Sequence, residues 1–339
     1  MRLFFAGPEH TPLADAEGAA LRGLRSLLLQ QPGVVEVAHA EASDAVILQE
    51  PVSFKEWRYV PRLLADPLIG PRLARVYTVN QDDCATGLLK GAYTSLPQRR
   101  FDGRRHVLIP YSSFPNPLIS QVDPANLPPP THLASWRGNP MSAPWLREAL
   151  LKQLGPRPEF RVERSSSWLN HNADEHRHYL ELLAAGWFSL CPRGWSPITY
   201  RIYESLALGR VPVLLADGLV LPQGPNWPAI SLRVPERQLS ALPELLEERL
   251  GDAAAMGQRG RQAWLEHYSP ARLLPGIAAA LLALMRSDQQ SPADHELERR
   301  RLQGWRMAWG NRWTPPQRLI NRFQRLRPTV SRLWHSRLG

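Results

Sequence analysis

The chain has 339 residues, 43% of them hydrophobic and 21% charged. These values exclude a disordered chain and leave room for two domains, each with its own core. The net charge of +10 belongs to the end of the chain: residues 299–339 hold 11 arginines and no acid, while residues 1–298 carry 30 basic and 31 acidic groups. The basic balance therefore says nothing of the partner of the body.

RLFFAG reads as a first strand stopping at Gly7 and Pro8, and ADAEGAALRGLRSLLLQQ has helical spacing up to Pro32-Gly33. VVEVAHA and DAVILQ follow as strand-like runs. WRYVPRLLADPLI reads as a helix broken by Pro61 and Pro67, and ARVYTVN as a strand running into Asn80-Gln81-Asp82-Asp83. NLPPPTH, residues 126–132, is the linker candidate, because three consecutive prolines favour a stiff, extended connection. The alternation then restarts: HLASW, EFRVE, WFSLC, VPVLLA and AISLRV as strands, with PWLREALLKQL, DEHRHYLELLAA, ITYRIYESLAL and LPELLEERL as helices. The rhythm predicts an α/β chain with mostly parallel sheets, the second half doubly wound.

Cys84 and Cys191 follow no metal-like spacing and suit the reduced thiols of a cytosolic compartment. MRLFFAGPEH has too short an apolar run for a signal peptide, and no window of about 18 apolar residues is present to span a bilayer. The expectation is a cytoplasmic protein. In the tail, QRLINRFQRL sets Leu319, Ile320, Phe323 and Leu326 on one helical side and Arg318, Arg322 and Arg325 on another. Three uses suit such a helix, ranked in this order: an anionic membrane surface at the inner face, docking on the protein itself, and nucleic acid. A nucleic-acid partner is not expected.

The loop PRGWSP leaves the carboxyl end of the predicted strand WFSLC, where open α/β sheets collect their ligands. Gly194 lets backbone approach a ligand, Pro197 suits a first helical turn, and Arg193 adds a planar fork for phosphate oxygens. Arg201 and Glu204 lie three apart, on one helix face, next to Tyr200. An arginine holding a diphosphate and a carboxylate accepting from ribose hydroxyls fit a nucleoside diphosphate. A solvated Arg–Glu pair at the same spacing is the alternative.

Three other clusters carry less. Asp82 and Asp83 are adjacent, without the one-residue gap of a metal-holding aspartate pair. HNADEHRH puts His176 and His178 two apart, on opposite helix sides, and reads as a solvated helix start. QRRFDGRRH reads as a turn around Asp102-Gly103, with contact to an anionic acceptor as the alternative.

FSLCPRG, YRIYESLALG, VPVLLAD, LVLP, NWPAISLRVPERQLSALPELL and WLEHY, in this order across residues 187–268, resemble the exostosin-like family, glycosyltransferase family 47. HLASWRG resembles its strand opening the C-terminal domain, and VYTVNQDD with AYTSLP matches more loosely upstream. The resemblance implies a GT-B architecture: residues 1–127 as an acceptor-side Rossmann-like domain, 128–275 as the nucleotide-sugar domain, and 276–339 as helices and basic tail. It implies an inverting glycosyltransferase using a nucleotide-sugar, usually a UDP-sugar, toward a glycan or lipid-linked acceptor, with no metal and no cofactor beyond the donor. Arg193 and Gly194 fall in its Pro-Arg-Gly loop, Arg201 at its phosphate-contacting arginine, and Glu204 at its ribose-binding glutamate. Tyr200 adjoins these, and Arg137 is a further diphosphate candidate. The base that accepts the acceptor proton should come from the first domain, and Asp83 is the candidate. The alternative class is a non-catalytic sugar-nucleotide or glycan-binding scaffold of the same fold.

Overall fold

The structure, a computed structural model, describes residues 1–6, 16–50, 58–83, 85–112, 116–166, 172–288, 291–305 and 307. Cys84, His171 and the predicted amphipathic helix at 317–326 lie outside them. The chain forms two compact units, Met1–Gln49 with Tyr77–Gln289, and Glu50–Val76 with Gln290–Gly339.

Two open sheets succeed one another along the larger unit. The first contains β1 (Arg2–Phe5), β2 (Val35–Glu36), β3 (Ala45–Gln49), β4 (Val76–Asn80), β5 (Lys90–Tyr93) and β6 (His106–Leu108), in the order β2-β1-β3-β4-β5-β6. The second contains β7 (His132–Gly138), β8 (Phe160–Arg164), β9 (Gly186–Pro192), β10 (Val211–Leu215) and β11 (Leu232–Arg233), in the order β11-β10-β9-β7-β8. All four pairs of the second sheet are parallel. So are the pairs β1–β2, β1–β3, β4–β5 and β5–β6 of the first. Parallel sheets are covered on both faces, so their strands read as unbroken apolar runs. VYTVN and VPVLL, buried at every position, are such runs.

The helices are α1 (Ala16–Leu29), α2 (Tyr59–Ala65), α3 (Leu118–Gln121), α4 (Pro144–Leu154), α5 (Ala173–Ala185), α6 (Arg201–Ala207), α7 (Trp227–Ile230), α8 (Leu242–His267), α9 (Pro270–Ser287) and α10 (Pro292–Gln303). Leu146, Leu150 and Leu154 of α4 join Trp136, Phe188 and Val213 in a core on one side of the second sheet. Ile202, Leu206 and Trp264 build another core with Leu214. The first sheet is closed by α1 and by α9, whose Ile277, Leu281 and Met285 meet Leu28, Ile47 and Val79. The expected division at residue 275/276 therefore falls inside one helix. In the smaller unit, Leu302 of α10 is fully buried and Arg299 donates to the Gly70 carbonyl at 3.2 Å. No single helix among the described residues is long and apolar enough to cross a membrane.

The prediction differs from the structure where elements are short. VVEVAHA and AISLRV each yield a strand of only two residues, and β5 and β6 were not expected at all. LPELLEERL is only the start of the 26-residue α8. Counted from its own first strand, the second sheet has the order 2-1-3-4-5, which reverses direction between β7 and β9. Ligands of open α/β sheets settle outside the carboxyl ends of the strands at that reversal.

Candidate active site

A cavity of about 380 Å³ opens at that point. Gly138 and Asn139 line it from the end of β7, and Gly194 and Trp195 from the loop after β9. Gly138 is required by packing, because a Cβ there would sit 2.8 Å from the Trp136 ring. At Gly194 a Cβ would meet Arg147 and Ser142 at the ordinary distances of 3.5 and 3.6 Å, so protein contacts do not demand glycine.

The helix expected from Pro197 begins later, at Arg201, with Tyr200 as its N-cap residue. This places Arg201 and Glu204 in its first turn, and both are buried and line the cavity with Tyr200. The solvated Arg–Glu pair considered from spacing is absent. The Glu204 carboxylate instead accepts from the Tyr179 hydroxyl at 2.5 Å through Oε2, while Oε1 takes no hydrogen bond among the described residues. Burial pushes the Glu204 carboxyl above its ordinary range, opposed by the Tyr179 hydroxyl and the Arg201 charge. Arg201 donates to the Arg137 carbonyl, its Nε has no partner, and its guanidinium lies over Trp136 and Tyr179 at 5.8 and 5.6 Å from the ring centroids.

Arg147, on α4, was not anticipated. It donates to the carbonyls of Asn139 at 2.7 Å, Arg193 at 2.9 Å and Pro192 at 3.2 Å, tying together the two loops at the reversal point. Burial, then the neighbouring Arg201 charge, brings its pKa down to about 9, so it remains cationic at neutral pH. Neither Arg147 nor Arg201 has an ion-pair partner among the described residues. The carboxylates of Asp83, Glu175 and Glu204 share the cavity, but two buried guanidinium groups that have no ion pair of their own among the described residues favour a further anion.

The other expected residues divide. Arg137 lines the cavity, but Glu175 holds it at 2.6 Å and Glu163 lies 3.5 Å from its Nε. Arg193 does not line it: its side chain turns to Glu236, Nε to Oε1 2.8 Å. Its guanidinium makes that ion pair, and the backbone of its loop gives Arg147 the Arg193 carbonyl. Asp83 lines the cavity and Asp82 does not. Asp83 Oδ1 accepts from the Tyr111 hydroxyl at 2.5 Å.

HNADEHRH is more than a solvated helix start. Asn172 caps α5 by accepting from the Glu175 N–H at 2.8 Å, and this sets Glu175 and His176 against the cavity. QRRFDGRRH is a turn, closed by the Arg105 and His106 N–H groups on the Asp102 carbonyl. Burial pushes the Cys191 thiol up to about 12, leaving it inert.

Two doubly wound parallel sheets, each with its helices, make an α/β chain of two Rossmann-like halves, the GT-B arrangement. Residues 41–249 match the Exostosin GT47 domain, and the chain belongs to that family. It is 41% identical over 95 residues to a probable glucuronoxylan glucuronosyltransferase of Arabidopsis thaliana, covering 25% of this chain and 21% of that protein. A probable glucuronosyltransferase of Oryza sativa subsp. japonica is 34% identical over 149 residues, covering 38% and 35%. The matches thus span between a fifth and about a third of these relatives' own length. Among solved structures, an alpha1,3-fucosyltransferase aligns over 86% of this chain and 92% of its own with a TM-score of 0.45 at 14% identity. Anabaena HepE in complex with UDP aligns over 85% and 100% with 0.43 at 12%. At these TM-scores the likenesses carry no functional weight.

Proposed function

We propose that the protein is a glycosyltransferase that binds a nucleotide-sugar in this cavity and passes the sugar to a glycan or lipid-linked acceptor. The observation carrying this reading is the pair Arg147 and Arg201, both buried at the reversal point of the second sheet and neither in an ion pair among the described residues. A diphosphate gives both guanidinium groups an anionic partner. Glu204, with Oε1 unengaged, suits the vicinal hydroxyls of a ribose. Departure of the diphosphate builds negative charge on its oxygens, which fixed cations stabilise more in the transition state than in the ground state.

In this mechanism an acceptor hydroxyl attacks the anomeric carbon from the face opposite the diphosphate. The carbon–oxygen bond to the diphosphate breaks, the nucleoside diphosphate leaves, and the configuration inverts. Asp83 takes the hydroxyl proton. UDP is the nucleotide we favour, and the cations at hand supply the charge that a metal would otherwise bring. The test is a panel of nucleotide-sugars, followed first by thermal shift and then by release of nucleoside diphosphate. Stabilisation by one donor class with turnover to an acceptor supports the reading. Binding with neither hydrolysis nor transfer favours a sugar-nucleotide-binding scaffold instead.

The reading also includes a cytoplasmic protein held at the inner face of a membrane by its basic tail. Removing residues 308–339 leaves α10 whole and is expected to reduce sedimentation with anionic vesicles. Equal sedimentation of both forms contradicts a lipid role.

A further inference from the structure

Tyr111 follows β6 in sequence, yet it is 3% exposed and packs in an apolar cluster with Ile198 of the loop before α6, Ile202 and Tyr203 of α6 and Leu214 of β10. It stacks on Tyr200, ring centroids 3.7 Å apart and planes 23° from parallel. Its hydroxyl reaches the other way and donates to Asp83, just past β4. One side chain thus joins the carboxylate from the first sheet to the residue that begins the helix carrying Arg201 and Glu204. Tyrosine is suited to this, since its ring satisfies an apolar cluster while its hydroxyl finds a partner.

We propose that Tyr111 is a positioning residue for the transfer reaction: it holds the Asp83 carboxylate at a fixed setting relative to the donor-binding helix through its hydroxyl and its stack on Tyr200. This rests on the reading of the cavity as a glycosyl-transfer site with Asp83 as base. A base must meet the acceptor hydroxyl within hydrogen-bond distance, and a displacement of about 1 Å costs on the order of 100-fold in rate. A swinging carboxylate would meet that geometry rarely. The donated O–H also stabilises the ionised form, keeping Asp83 able to accept a proton toward lower pH.

Other groups set the local charge and are untouched by a change at Tyr111. Arg147 approaches Asp83 from α4. Arg201, Glu204 and Tyr203 belong to α6, with Tyr200 as its cap. Glu175, His176 and Tyr179 face the cavity from α5, Arg137 from β7, and Asp82 precedes Asp83 in the chain. Tyr111→Phe keeps the ring, the stack and the packing, and removes only the hydroxyl.

The test follows the Asp83 carboxyl carbon by NMR in full-length protein labelled with 13C-aspartate, the resonance assigned with Asp83→Asn. In Tyr111→Phe the Asp83 midpoint is expected to rise by about one pH unit. The acidic limb of the kcat/KM profile should move up by the same amount, kcat should fall about tenfold or more, and UDP affinity should stay within about twofold. An unmoved midpoint overturns the proposal, because the hydroxyl then does not govern the carboxylate. A midpoint that moves while the rate profile does not also overturns it, since Asp83 is then not the base. Failure of the functional reading appears elsewhere, as wild-type protein that binds no UDP.

Discussion

The two sheets share one winding order and differ in what their strand ends carry. At the ends of β7 and β9, the second sheet offers Gly138, Asn139 and the Arg147-bound carbonyls of Pro192 and Arg193, with Arg201 beside them. Past β4 and β6, the first sheet offers a carboxylate, Asp83, and a tyrosine, Tyr111. The same scaffold thus presents arginines at one set of strand ends and a tyrosine-bound carboxylate at the other. The fold fixes where chemistry sits, while the loop residues decide which partner of the reaction each end addresses.

Several substitutions break or sharpen this contrast. The largest effect is expected at Arg201→Ala, where turnover should fall about 100- to 1,000-fold and UDP affinity less, if the cation acts on the leaving group. A turnover within threefold of wild type contradicts that role. Glu204→Ala should weaken UDP binding by about tenfold with the fold intact, checked by calorimetry beside a circular dichroism spectrum. The smallest effect belongs to Arg193→Ala, whose side chain already serves a partly buried ion pair with Glu236. UDP affinity should change there by less than about threefold.

Glu204 also provides a pH test. Its folded pKa lies above the unfolded value, so the folded state holds the proton more tightly than the unfolded state does. Stability from this group is therefore full below the unfolded value, near 4.5, and is lost as pH rises through the folded value. Glu204→Gln, which keeps an acceptor for Tyr179, should raise the Tm of the ligand-free protein at neutral pH, with the gain vanishing toward pH 4. A gain that grows toward low pH contradicts the raised value.

Much of this was legible in the sequence where patterns are local. The runs of β4, β9 and β10 and the helix PWLREALLKQL are long and apolar enough to declare themselves, and Arg201 and Glu204, marked by a three-residue spacing together with the family resemblance, both line the cavity. Side-chain direction in a loop carries no such period. The Arg193 side chain is such a case, because its partner Glu236 lies 43 residues away. Arg147 carries a signal in the sequence: it stands on the stripe of Leu150 and Leu154, a charge where the helix buries apolar groups. Tyr179 and Tyr111 meet their carboxylates 25 and 28 residues distant, contacts that no short pattern encodes.

On the proposed function, Arg147 and Arg201 bind the diphosphate of the donor. The most direct test is calorimetric titration of the protein with UDP and with uridine, repeated in Arg201→Ala. The account predicts UDP tighter than uridine by at least about 100-fold, with most of that preference lost in the variant. Uridine bound as tightly as UDP, or a preference for UDP that survives the substitution unchanged, would contradict it.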